Sequence, residues 1–145
     1  MDMLKSSARN QFSGKVTRVV PGAVNDEIEL DVPGVGAVVA IVTHGSASSL
    51  GLREGAEAMA LIKASSVIVV AQDPGMRFSA RNHLQGQVQR VQTGAVNTEV
   101  VIGLPGGASV VSIVTNESAE NLGLVEGMQA AALFKASSVI LGVAA

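Results

Sequence analysis

Lys63, Ser65 and Ser66 recur as Lys135, Ser137 and Ser138 within a stretch, KASSVI, that is spelled identically twice. Ser7, Arg9 and Asn10 recur in the same way as Ser79, Arg81 and Asn82, and Thr43 and Ser46 as Thr115 and Ser118. Nearly all of these side chains donate hydrogen bonds, two per copy are cations, and none is an acid. Such a set suits an oxyanion. Arginine forks onto two oxygens, hydroxyls and backbone N–H groups fill the other lone pairs, and lysine adds a point charge. Taken singly, each element also has an ordinary role: a solvated edge lysine, turn hydroxyls, helix caps, a solvent-facing arginine. The joint retention of SARN and KASS is what favours an anion pocket.

Other chemistries fit less well. The copies differ at both histidines, His44 aligning with Asn116 and His83 with Gln11, so no histidine mechanism is common to the two halves. Asp26, Glu29 and Asp31 align with Thr98, Val101 and Gly103. Glu27/Glu99 and Glu54/Glu126 persist, and each is expected to stand alone in its strand or turn. No retained carboxylate pair suits glycosidic or metal chemistry, and no nucleophile–base arrangement repeats, so neither an enzyme nor a metal ion bound as such is expected. A net charge of −2, three Phe and no Trp or Tyr disfavour nucleic acid, which calls for a basic surface and stacking rings. The absence of Cys removes disulfides and thiolate sites. No apolar run approaches the roughly 18 residues of a membrane span, and MDMLKSSARNQF lacks a signal-peptide core, so neither membrane contact nor a secretory signal is expected.

The elements that hold these residues come from a tandem duplication. Every motif returns 72 positions later (Ser7 to Ser79, Lys63 to Lys135), and 36 of 62 aligned positions between Ser7–Ile68 and Ser79–Ile140 are identical. The first domain is read as 1–70, a linker with an Asp-Pro-Gly turn signal as 71–78, and the second domain as 79–145. Each repeat has about 65 residues, near the lower limit for a self-sufficient core, so close repeat-to-repeat packing and a homo-oligomer are expected. Alternation predicts strands over 12–20 and 24–32, and a buried run predicts another over 37–42. A short helix follows over 46–52, with Thr43 or Ser46 as its cap and Gly51 near its end. Strands over 57–62 and 66–71 flank the KASS segment, unless they are one bent strand. The fold class is all-β: two tandem OB-like Greek-key barrels, each with about five strands and one short helix.

The motifs SARNQF.GKV, GAVNDEIEL, IVTHGSASSLGL and EGAEAMALIKASSVI, with their second-half counterparts, resemble the molbindin, or Mop-domain, family over nearly all of both repeats. Two Mop units without a DNA-binding or ATPase segment look like its stand-alone two-domain members. The resemblance implies an OB-like barrel that binds molybdate or tungstate, without any cofactor, for cytoplasmic storage or homeostasis. Single-domain relatives form hexamers, so a two-domain chain reaches six domains as a homotrimer. It implies sites between domains, one side from Ser7, Ala8, Arg9 and Asn10 and the other from Lys63, Ala64 and Ser65, with Thr43 and Ser46 nearby. The second set is Ser79, Ala80, Arg81 and Asn82 with Lys135, Ala136 and Ser137, and Thr115 and Ser118. A second site class near the threefold axis maps to Gly22, Ala23, Val24 and Asn25 and to Gly94, Ala95, Val96 and Asn97.

Departures from the family pattern leave the donors intact. THGSASSL lacks the usual acids around its Ser-Ala pair, TNESAENL keeps them without the histidine, and His83 replaces the usual glutamine. Molybdate is a deprotonated dianion near neutral pH, whereas phosphate needs an acceptor for its O–H; the lack of a retained acid in these motifs disfavours phosphate. Sulfate differs from molybdate only in size. The alternatives to storage are a molybdate-responsive regulatory oligomer that docks on a partner and, more remotely, a nucleic-acid-binding OB protein.

Overall fold

The computed structural model describes residues 4–71 and 75–145; the Asp73-Pro74 part of the expected linker turn lies outside them. Strands β1 (Asn10–Val20), β2 (Asn25–Val32) and β3 (Gly36–Thr43) form an antiparallel meander. Helix α1 (His44–Leu50), β4 (Glu57–Ile62), a 3-10 turn at Ala64–Ser66 and β5 (Ile68–Val70) follow. The second repeat gives β6 (Asn82–Thr93), β7 (Asn97–Gly103), β8 (Ser109–Thr115), α2 (Asn116–Leu122), β9 (Gln129–Phe134), a 3-10 turn at Ala136–Ser138 and β10 (Ile140–Gly142). KASS is thus neither a bend in one strand nor part of the next; it is the turn between two strands.

Local sequence explains these elements. In β2, Asp26, Ile28, Leu30 and Val32 point inward while the residues between them face out. Thr43 rather than Ser46 caps α1, its hydroxyl accepting from the Ser46 N–H at 3.1 Å. Gly51 ends the helix at φ +65°, a left-handed conformation that costs glycine nothing. Gly14 lets β1 approach β2 closely, since a Cβ there would lie 2.5 Å from the Asp31 carbonyl.

The first sheet has the order β10-β4-β1-β2-β3, and the second β5-β9-β6-β7-β8. β10 also approaches β3, and β5 approaches β8, so each sheet rolls up as a small five-stranded OB-type barrel. The expected all-β class is therefore the observed one, with one difference. The fifth strand of each barrel comes from the other repeat: β10 pairs with β4, and β5 with β9. The 3-10 turn sends the chain out of its own sheet, and the buried Ser112 hydroxyl in β8 donates to the Val67 carbonyl at 2.6 Å as the chain arrives. Val69 and Leu141, each 7% exposed, then enter the core of the host barrel. One continuous apolar cluster spans both repeats, built from aliphatic residues with Phe12 and Phe134. The two hairpin turns also touch, the Ala108 N–H donating to the Gly34 carbonyl at 3.2 Å. Close repeat-to-repeat packing thus takes the form of strand exchange.

Candidate anion-binding site

Antiparallel pairing sets Asn10 of β1 opposite Ile62 of β4, so the residues before β1 and those after β4 emerge at one end of the sheet. Ser7, Ala8 and Arg9 there face Lys63, Ala64 and Ser65 around a cleft of about 450 Å³. Leu61, Ile113 and Ile140 form its apolar side. Arg9, Lys63, Ser7 and Ser65 are exposed, while Ala64 is buried and fixes the 3-10 turn. The register of Asn82 against Phe134 brings Ser79–Arg81 beside Lys135–Ser137 in the same way. Both motifs at the described cleft belong to the first repeat, whereas the family resemblance suggests one from each of two domains. The second repeat contributes Ile113 and Ile140.

Asn10 and Asn82 differ from the expected ligands. Asn10 is 2% exposed; its amide donates to Ile62 O (3.2 Å) and Val111 O (2.8 Å), and its oxygen accepts from the Val111 N–H (2.8 Å). Asn82, 1% exposed, exchanges two 2.8 Å bonds with the Val39 N–H and C=O. Each amide thus stitches its own repeat to the third strand of the other. Thr43 with Ser46, and Thr115 with Ser118, are helix caps and are not among the residues lining the cleft.

Two acids overturn the expectation of a donor-only site. Glu27 and Glu99 do not stand alone: Arg9 Nη2 lies 2.7 Å from Glu99 Oε2, and Arg81 pairs with Glu27. Each retained arginine is held by the retained acid of the other repeat. The signal was present in sequence, since these acids persist where Asp26, Glu29 and Asp31 do not. A carboxylate beside the cleft also removes the argument against phosphate from a missing acceptor.

The GAVN turns are exposed and lie between the first two strands of each repeat, near the helix start: His44 N–H donates to Val24 O at 2.9 Å. Asp26, 3% exposed, accepts from the Gly22 N–H at 3.1 Å and meets His44 Nδ1 at 2.9 and 3.0 Å. The Gly22 hydrogen bond holds its carboxyl below the usual carboxylate range, and His44 adds to this against the opposing push of burial. In the second repeat a neutral network replaces it: Thr98 donates to Asn116 (2.7 Å), and Asn116 to the Gly94 carbonyl (3.0 Å). The two sequence differences are therefore one coupled change. The SARN segments also differ in support. Gln11 donates to the Ala8 carbonyl at 3.0 Å, whereas His83 packs edge-on to Phe78 with its Nε2 unbonded.

Comparison with known families places this geometry. A TOBE domain model matches residues 6–69 and again 79–141. The chain belongs to the TOBE domain family. The Mop-type resemblance read from sequence agrees with that membership. This TOBE chain is 44% identical over 140 residues to the molybdenum transport protein ModE of Azotobacter vinelandii, covering 97% of the chain and 52% of that protein. It is 46% identical over 139 residues to the molybdenum-pterin-binding protein MopA of Rhodobacter capsulatus, covering 95% and 52%. The chain thus spans about half the length of the curated relatives it matches. Among solved structures it resembles the cytoplasmic molybdate-binding protein ModG with molybdate bound, at 46% identity and a TM-score of 0.92, over 97% of this chain and 100% of that one. Among the described residues of this TOBE protein, no helix is long and apolar enough to cross a membrane, and no cluster of His, Asp and Glu could hold a metal ion.

Proposed function

We propose that this chain is a binding protein for molybdate and, by the same chemistry, tungstate, with Ser7–Arg9 and Lys63–Ser65 forming one site and Ser79–Arg81 with Lys135–Ser137 the other. One observation carries the reading: two retained cation-and-hydroxyl motifs converge on one cleft. The likeness to a molybdate-bound protein along nearly the whole chain supports it. Repeats 1–70 and 79–145, joined by 71–78, are the binding units.

The sites are completed in a homotrimer. Ile68 and Ile140, each 61% exposed, and Val24 and Val96, each 73% exposed, are bare apolar side chains at matching places in both repeats. Ile140 lies on the rim of the cleft, so a second copy packed there would shut the anion away from water. Burial of a dianion is tolerable only with such a set of donors. The turns Gly22–Asn25 and Gly94–Asn97 form the second site class. The role is cytoplasmic molybdenum storage or homeostasis. A second reading is a molybdate-responsive regulatory oligomer that docks on a partner; molybdate-dependent pull-down separates the two.

Native mass spectrometry with and without molybdate, and with sulfate instead, gives subunit number and bound anions. Arg9→Ala combined with Arg81→Ala should remove most molybdate binding in equilibrium dialysis while the oligomer persists. Unchanged stoichiometry overturns the assignment.

A further inference from the structure

We infer that Glu27 and Glu99 are internal competitors of the bound anion, and that they guard the two sites unequally. The inference rests on the reading of Arg9 and Arg81 as anion ligands. Each carboxylate sits on its arginine at ion-pair distance, half-buried, with side-chain exposures of 23% for Glu27 and 19% for Glu99. The pairs cross between repeats, Arg9 to Glu99 and Arg81 to Glu27. Glu99 stands opposite Ile113, which lines the cleft, so its charge lies beside the space an anion would enter.

A guanidinium has five donors and can touch two anionic groups at once. A dianion on Arg9 would still lie within a few ångströms of the Glu99 carboxylate, where like charges repel. The anion either displaces the carboxylate or binds against its repulsion. In both cases neutralising the acid tightens anion binding.

The inequality comes from a third charge. Arg90 Nη1 lies 3.9 Å from Glu99 Oε1, so Glu99 keeps a cation when Arg9 turns to an anion. Arg18, the equivalent of Arg90, is opposite Glu29 in the β1–β2 register, whereas Arg90 is opposite Val101. The change from Glu29 to Val101 leaves Arg90 for Glu99. Among the described residues, Arg81 is the one cation within ion-pair distance of Glu27. The site built on Arg9 therefore fills before the site built on Arg81.

The test is calorimetric titration of sodium molybdate into the full-length chain. Glu27→Gln should tighten the Arg81-dependent site by about three- to tenfold, and Glu99→Gln the Arg9-dependent site by less than about threefold. Arg81→Ala and Arg9→Ala backgrounds assign each phase to its site. Gln variants that bind no tighter, while the Ala variants lose their phase, overturn the competitor role and leave the anion-ligand reading intact. Ala variants that bind like the wild type overturn both. Arg90→Ala, at a side chain 55% exposed, supplies a check that leaves both acids in place. It should weaken the Arg9-dependent site toward the other, and an unchanged gap between the two affinities overturns the inequality.

Discussion

In SARN, Arg9 keeps nearly half of its side chain in solvent while the next residue, Asn10, is 2% exposed. Both are retained in the second copy, and retention alone does not separate a ligand from a backbone stitch. That is why the asparagines were legible as important but not for the reason they are. Asn82→Ala strips the Val39 N–H and C=O of their side-chain partners and should cost about 1–3 kcal/mol, read by urea unfolding. A loss well below that range would show that water replaces the amide. Asp26 makes a prediction in pH. Its folded pKa lies below its unfolded one, so its contribution is complete above the ordinary carboxylate value and is lost as pH falls through the lowered value. Asp26→Thr with His44→Asn copies the second repeat, and should flatten the acid side of a plot of Tm against pH, over about pH 2–5. An acid limb that stays as steep as in the wild type would refute the assignment.

At the level of elements, alternation, a capping threonine and a terminal glycine made the three-strand meander, α1 and β4 legible in sequence. Those signals are local. The extents of β1 and the KASS turn were less legible, because SARN runs directly into β1 and KASS holds no helix or strand period. The glycine pattern gives a paired test. Gly14→Ala and Gly86→Ala each drive a Cβ onto a β2 or β7 carbonyl, and should lower stability by about 1–3 kcal/mol. Gly45→Ala in α1 meets nothing within 4 Å and should raise stability by up to about 0.5 kcal/mol. Differential scanning calorimetry of the three variants checks the signs, and a stabilised Gly14→Ala would contradict the close approach of β1 and β2.

For the molecule as a whole, the exchange of β5 and β10 was not legible. An apolar run such as Ile68–Val70 announces that a strand is buried, but not which sheet buries it. Nor did the sequence reveal that Arg9 and Glu99 meet, since their contact exists only after the two barrels are docked. A half-chain of residues 1–71 lacks the β10 strand that borders β4 and carries a β5 with no host. It should fail to give a folded monomer, and the copies that do fold should be dimers that trade β5, as light scattering after gel filtration would show. A stable monomeric half would contradict the role of the exchange. In the full chain, one polypeptide carries both traded strands, and the covalent link between the repeats is a tether. Trading strands is then ring closure inside one molecule rather than an encounter between two, governed by tether length and not by how many copies are present. Dilution that would take a traded pair of half-chains apart leaves this arrangement untouched.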